Sequence, residues 1–196
     1  MSLGAVLYRG VRLHTLLSKS PPEPLFASDS PNRYNVRGTR TLYFGENVLT
    51  AYSETVQQHA EMLVNHPTRE RKTAAGYDVG DENEEPVVIF ASKAWIERTL
   101  DLTDVAILGR LGITEQSLQL PWRWAASMGK APLTQQLGNE VFKNGRFEAI
   151  RYRSQKADDA QRKNAHAAWA VFVDRLAGDS FVRVSDVTRR LQGQLP

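Results

Sequence analysis

The sequence predicts an α+β domain on a largely antiparallel or split sheet. Two observations carry this: β-branched and aromatic runs of strand length recur near both ends of the chain, and the helical patterns between them form long insertions without regular strand-helix alternation. A third bounds it. A chain of 196 residues, 41% hydrophobic and 24% charged, supplies one substantial core, so a single domain over 1–196 is expected.

Ala5 to Arg12 carries the β-branched and aromatic residues of a first strand, and Ser18 to Asn32, rich in Pro, Ser and Asp, reads as a loop. Thr41 to Phe44 is a short strand. Asn47 offers a side-chain cap for a helix running to about Asn65, with Val48, Tyr52, Val56, His59 and Leu63 on one stripe. Pro67 ends it, and the segment over about 67–85 lacks periodicity and apolar content, as a mobile surface loop does. Pro86 to Ser92 is the clearest buried strand.

Short helices are expected over Val105–Arg110, Ser117–Leu120 and Trp122–Ser127, broken by Gly109, Gly112, Pro121 and Gly129, and a better one over Leu133–Phe142 stops near Gly145. Three strands follow, Phe147–Tyr152, Ala167–Val173 and Ser180–Val184. Val187–Leu191 closes the chain as a turn of helix.

Composition excludes several chemistries. The chain has no cysteine, which removes disulfides, thiolate zinc sites and thiol nucleophiles. Its longest apolar runs, such as Val87–Ala91, are too short to cross a bilayer, and Met1–Gly10 lacks the pattern of a signal peptide, so a soluble cytoplasmic protein without membrane contact is expected. No GxGxxG turn, GxxxxGK[ST] loop, HExxH or GxSxG element occurs, which disfavours Rossmann dehydrogenases, P-loop NTPases, zincins and α/β-hydrolases. The four histidines have no carboxylate at a telling offset, and no metal is implied.

The net charge of +3 is too small to argue for nucleic-acid binding, but its distribution is uneven. An acidic run over Asp78–Glu85 reads as solvated loop. Arg151, Arg153, Lys156, Arg162 and Lys163 form a basic patch opposed only by Asp158 and Asp159.

The most informative stretch joins Asn32-Arg33-Tyr34-Asn35 to Leu42-Tyr43-Phe44 and to Glu54 on the expected helix, upstream of Arg151-Tyr152-Arg153-Ser154. Guanidinium forks suit a pyrophosphate, aromatic faces suit a nicotinamide ring, and a carboxylate suits a sugar that becomes cationic as its C–N bond breaks. Such a set fits a dinucleotide that is cut rather than reduced. Taken singly, Arg9 is an ordinary surface ion-pair partner, Tyr43 suits core and binding wall equally, and Ser154 is an ordinary turn residue. Glu54 lies almost opposite the apolar stripe of its helix, so plain solvent exposure is expected unless that side lines a cleft.

In this order the residues resemble the RES domain family. Tyr8-Arg9 matches its early YR, and Asn32-Arg33-Tyr34-Asn35 with Gly38 its G-R-W-N element. Tyr43 matches its short strand, Glu54 its helix and Ser154 its late strand end, while Leu120-Pro121-Trp122 and Leu137-Gly138 resemble its middle region. The similarity spans roughly Leu7 to Val173. Asn32 stands where the family has glycine, Tyr34 where it has tryptophan, and Arg153 where proline is frequent; Arg153 would add a phosphate-reading cation.

The resemblance implies an ADP-ribosyltransferase-like fold acting on NAD as substrate with no further cofactor. It also implies the role of toxin beside an Xre-type helix-turn-helix antitoxin, through which alone the pair would reach DNA. On this footing Arg9 and Arg33 would grip the pyrophosphate, and Tyr43 with Tyr34 would wall in the nicotinamide. Glu54 would stabilise an oxocarbenium-like ribose or hold its hydroxyls, and Ser154 would donate a positioning hydrogen bond. Cleavage with water or phosphate as acceptor is the leading expectation. A protein mono-ADP-ribosyltransferase using the same site, and a non-catalytic module holding nucleic acid or an acidic partner on the basic patch, are the alternatives.

Overall fold

The computed structural model describes residues 3–18, 20–64, 86–120, 122–154, 167–185, 191 and 193–196. In chain order its elements are β1 (Leu3–Arg12), α1 (Leu13–Leu17), β2 (Thr41–Gly45), α2 (Val48–Val64), β3 (Val87–Ile96), β4 (Thr99–Asp101), α3 (Val105–Leu111), α4 (Glu115–Leu118), α5 (Trp122–Ser127), α6 (Leu133–Asn144), β5 (Ala149–Arg153), β6 (Ala167–Phe172), a 3-10 turn (Val173–Arg175), β7 (Phe181–Val184) and β8 (Gln194–Leu195). Among the described residues the strands form one sheet ordered β4-β5-β6-β2-β1-β3-β7-β8, antiparallel throughout except for the parallel pair β4·β5. The expected α+β class with a largely antiparallel sheet is what the chain adopts.

The sheet is split at its centre. β1 and β2 share one register pair, Tyr8 opposite Gly45. Beyond it, Arg9–Arg12 pair only with β3 and Thr41–Phe44 only with β6, which leaves two facing strand edges unpaired with one another.

Alternation along the strands builds a core on each face. Trp169 and Val171 of β6 join Leu7, Leu42 and Phe44 on one side; Ala168, Ala170 and Phe172 join Tyr34, Leu108, Val141 and Tyr152 on the other. All six residues of β6 are buried. Phe172, fully buried, contributes roughly 1.5–3 kcal/mol of transfer free energy.

α2 lies across the split because two glycines let it approach. A Cβ on Gly45 would sit 2.6 Å from Ala51 N, and one on Gly10 would sit 3.0 Å from Thr55 Cβ and 3.1 Å from Ala51 O. The groove therefore accepts small residues and rejects bulky ones. This overturns the face expected for the helix: Val48, Leu49 and Tyr52 are about half exposed, while Thr50 and Ala51 are buried. The buried side lies roughly 150° around the helix from the apolar stripe, which turns Glu54 inward. The side chains of His59 and Leu63 lie outside the described residues.

Other expectations are refined. β3 runs on to Ile96 and its first five residues are only half-buried; the strand buried throughout is β6, which is covered on both faces. The five-residue α1, three-residue β4 and two-residue β8 are too short to carry a periodicity and were not expected. The long middle helix ends as expected, with Gly145 in the left-handed conformation at φ 65°. The loop expected over about 67–85, and the terminal turn of Val187–Leu191 except for Leu191, fall outside the described residues.

Candidate active site in the split of the sheet

A cavity of about 440 Å³ occupies the split, a size typical of ligand pockets. Arg9, Gly10 and Val11 of β1 form one wall; Thr41, Tyr43 and Phe44 of β2 form the other. Ala51, Glu54 and Thr55 of α2 close one end, and the loop from Glu23 to Asn35 closes the opposite end.

Alternation assigns the two ends to opposite faces of the sheet. Gly10 faces α2, so its neighbour Arg9 projects the other way, where its Nη2 donates to Phe26 O at 2.8 Å. Arg9 Nη1 is buried and has no hydrogen-bond partner among the described residues, although the residue as a whole keeps part of its surface accessible. Burial lowers its pKa to about 10, against the opposing charge of Glu23. A guanidinium so placed remains charged at neutral pH and offers unused donors to an anion.

On the helix side, Glu54 is half-buried and its Oε1 accepts from Ser154 Oγ at 2.6 Å, a bond that ties α2 to the end of β5. Tyr43 has its hydroxyl fixed at both valences: it accepts from Tyr34 N at 2.9 Å and donates to Asn35 Oδ1 at 2.8 Å. Burial raises the Tyr43 pKa strongly, with the charge of Glu54 adding to it, so the phenol stays protonated. What Tyr43 presents to the cavity is its ring. Asn35 in turn donates through Nδ2 to Ser30 O at 2.8 Å and Thr39 O at 3.1 Å, folding the 30–39 loop around the phenol.

The predicted site residues thus divide. Arg9, Tyr43 and Glu54 line one cavity, and Ser154 joins them through Glu54. Arg33, Tyr34 and Arg153 stand outside the lining. Arg33 is buried, with Nη2 donating to Leu118 O at 2.8 Å and its guanidinium carbon 5.1 Å from the Tyr152 ring centre and 5.6 Å from that of Tyr34. Tyr34 is fully buried, its ring 4.6 Å from that of Tyr152, and burial pushes its pKa up to about 12. Gly138 of α6 packs so closely that an added Cβ would lie 2.6 Å from Tyr34 C, which fixes the loop from behind. Arg153 pairs with Glu115 at 3.4 Å.

The described part of the basic patch is internally neutralised. Arg151 donates to both oxygens of Glu46 at 2.6 and 3.1 Å, to Asp101 Oδ2 at 2.9 Å and to Thr103 Oγ1 at 2.8 Å. Trp169 Nε1 adds a bond to Glu46 at 3.0 Å. Burial would raise the carboxyl pKa of Glu46 and Asp101, but Arg151 and Trp169 outweigh it at Glu46, and at Asp101 the Thr103 hydroxyl and backbone N–H, donating at 2.6 and 2.9 Å, do so together with Arg151, so both are lowered. Lys156, Arg162 and Lys163 lie outside the described residues.

Sequence reasoning missed Glu23, Asn35 as the anchor of Tyr43, and the partners of Arg151. Glu23 sits in a Pro-rich loop with no periodicity to single it out, and Glu46 and Asp101 are remote in sequence from the arginine they hold. It also missed a buried carboxylate outside the cavity lining. Glu148 is fully buried and accepts from Arg98 Nη2 at 2.9 Å, Ser180 Oγ at 2.7 Å and the backbone N–H of Glu97 and Ala177 at 3.2 Å. Among the described residues no group of three or more His, Cys, Asp or Glu is arranged to hold a metal ion. No described helix is long and apolar enough to cross a membrane.

Comparison with known proteins agrees with this architecture. A solved structure titled as the M. tuberculosis MbcT–MbcA toxin–antitoxin complex contains a chain that superposes with TM-score 0.55 at 10% identity, covering 95% of this chain and 84% of that one. At that identity the likeness concerns the fold. No curated protein sequence matches. The RES domain profile matches residues 7–190, nearly the whole length, with the cavity walls and Ser154 inside the match. The chain belongs to the RES domain family.

Proposed function

We propose that this protein is the toxin of a toxin–antitoxin pair and that it cleaves the nicotinamide–ribose bond of NAD, with water or phosphate as acceptor. The observation that carries the reading is the pairing, in one cleft, of a guanidinium with a buried unpartnered nitrogen and a carboxylate held by a serine hydroxyl. Arg9 would bind the pyrophosphate through charge-assisted bonds. The Tyr43 ring would bound the nicotinamide, and its hydroxyl, engaged by Tyr34 N and Asn35 Oδ1, would take no part in proton transfer.

As the C1′–N bond breaks, its electron pair passes to the nicotinamide nitrogen, which becomes neutral, and positive charge moves onto the ribose. Glu54 stabilises that charge more than the ground state, the condition for lowering a barrier. An oxygen of water or phosphate then bonds to C1′; water gives up its proton to bulk solvent, and phosphate attacks through an unprotonated oxygen. Ser154 leaves Glu54 Oε2 free to face the sugar while it holds Oε1, so its part is orientation rather than attack. The antitoxin partner is supported by the MbcT–MbcA complex, and its Xre type by the family resemblance alone.

Mass spectrometry of purified protein with NAD, with and without phosphate and with and without a bystander lysate, tests the reading. Free nicotinamide with ADP-ribose or its phosphate is expected. Mass added to a lysate protein would transfer the assignment to protein ADP-ribosylation, and intact NAD throughout would overturn the enzyme. Co-expression with the product of an adjacent helix-turn-helix gene should abolish turnover; undiminished turnover in a stable mixture would remove the antitoxin.

A further inference from the structure

We propose that Glu23 is a specificity-determining residue that reads the second ribose of the dinucleotide and favours NAD over its 2′-phosphorylated form. The inference rests on the cleft being an NAD site and adds what binds at its other end. Glu23 is half-buried and lines the cavity. Among the described residues its carboxylate makes no hydrogen bond or ion pair, and its charge acts on Arg9.

Its position follows from the alternation of β1. Glu54, Tyr43 and Gly10 mark the α2 face of the split, whereas Arg9 turns to the opposite face and meets the 23–28 loop at Phe26 O. The electrostatics divide the groups in the same way. The charge of Glu54 acts on Tyr34, Tyr43 and Tyr152, and that of Glu23 acts on Arg9. Arg9 and Glu23 therefore lie together at the end of the split opposite Glu54.

An extended dinucleotide with its scissile ribose at Glu54 and its pyrophosphate at Arg9 brings its second ribose to Glu23. A carboxylate accepts both hydroxyls of a vicinal diol, and it repels a phosphate on one of them. Glu23 would thus act by attraction for one ligand and by charge repulsion against the other.

The test is calorimetric binding of NAD, NADP and nicotinamide mononucleotide to Glu54→Gln protein, which slows cleavage, with and without Glu23→Gln. NAD is expected to bind on the order of 100-fold more tightly than NADP, and Glu23→Gln to cut that ratio to about tenfold or less. Nicotinamide mononucleotide keeps the scissile bond and one phosphate but lacks the second ribose, so its affinity should stay within about twofold. A preference unchanged by Glu23→Gln overturns the proposal. So does a parallel change for all three ligands, which would mean that Glu23 only tempers Arg9. Tight NAD binding without nicotinamide release by the wild type would sink the cleavage reading while leaving the Glu23 comparison decisive; binding of no dinucleotide would overturn both.

Discussion

An alanine at Gly10 tests whether the closeness of α2 to the split strands is what aims Glu54 into the cleft. The added methyl would fall well inside contact distance of Thr55 Oγ1, 3.0 Å from Thr55 Cβ and 3.1 Å from Ala51 O. Thr55 cannot rotate away without giving up its 2.8 Å bond to Ala51 O, and the Ala51 carbonyl is helix backbone. α2 must therefore retreat from β1. Overpacking of this kind costs about 1–3 kcal/mol. For a chain of this size that lowers the melting temperature by roughly 2–12 °C.

Glu54 lies three residues beyond Ala51, and a 2.6 Å bond to Ser154 does not survive a retreat of the helix. Turnover of NAD should fall together with stability. Thr55→Ala removes the worst contact, so the cost of Gly10→Ala in that background should be less than half its cost in the wild type. Denaturant melts of the four proteins in this cycle measure the coupling. Strict additivity, or a Gly10→Ala protein as stable as the wild type, would refute the argument.

Gly138→Ala should be harder to rescue, because the obstacle is the Tyr34 backbone rather than a side chain; a melt showing less than about 1 kcal/mol of destabilisation would contradict the packing. Glu148 predicts an acid dependence. Burial raises its pKa, but bonds from Ser180 and Arg98 outweigh this and hold it below the ordinary carboxyl value. Its contribution is thus fully present above about pH 4.3 and is lost as pH falls through the depressed folded pKa. Glu148→Gln should be less stable at pH 7 and show a shallower loss as pH falls below about 4.3, read by melting temperature against pH; an unchanged slope would remove Glu148 from the acid response. Arg151→Ala should cost about 1–3 kcal/mol in a denaturant melt, since it strands Glu46 and Asp101, and should leave retention on immobilised nucleic acid unchanged. A large loss of retention without loss of stability would revive the basic-patch reading.

Much of the fold was legible because it rests on local patterns. The strands of residues 5–12, 41–44 and 167–173 announce themselves by β-branched and aromatic runs, and Gly145 marks the end of α6 by its left-handed turn. The facing of α2 was not legible. An apolar stripe predicts burial only when the partner surface can receive it, and here two glycines from strands far apart in sequence form a groove too narrow for Val48 and Tyr52. That pairing is a tertiary fact.

The site shows the same division. Tyr43 and Glu54 are close in sequence and meet in the cleft, and Ser154 reaches Glu54 across 100 residues. Arg9 and Arg33 look alike as a phosphate-reading pair, yet alternation in β1 delivers the first to the cavity, whereas the second is buried against Tyr152 and the Leu118 carbonyl. Charge counting along the chain cannot see that Arg151 is already bound to Glu46 and Asp101, because those carboxylates arrive from just past β2 and from β4 only when the sheet forms.

The most direct test of the central claim is a time course of nicotinamide release from NAD by wild-type, Glu54→Gln and Ser154→Ala proteins, with circular dichroism beside each. The account predicts release by the wild type, a loss of about a hundredfold or more in Glu54→Gln with the fold retained, and a smaller loss in Ser154→Ala, since orientation of a carboxylate is worth less than the carboxylate. Equal release by folded wild-type and Glu54→Gln proteins would contradict it.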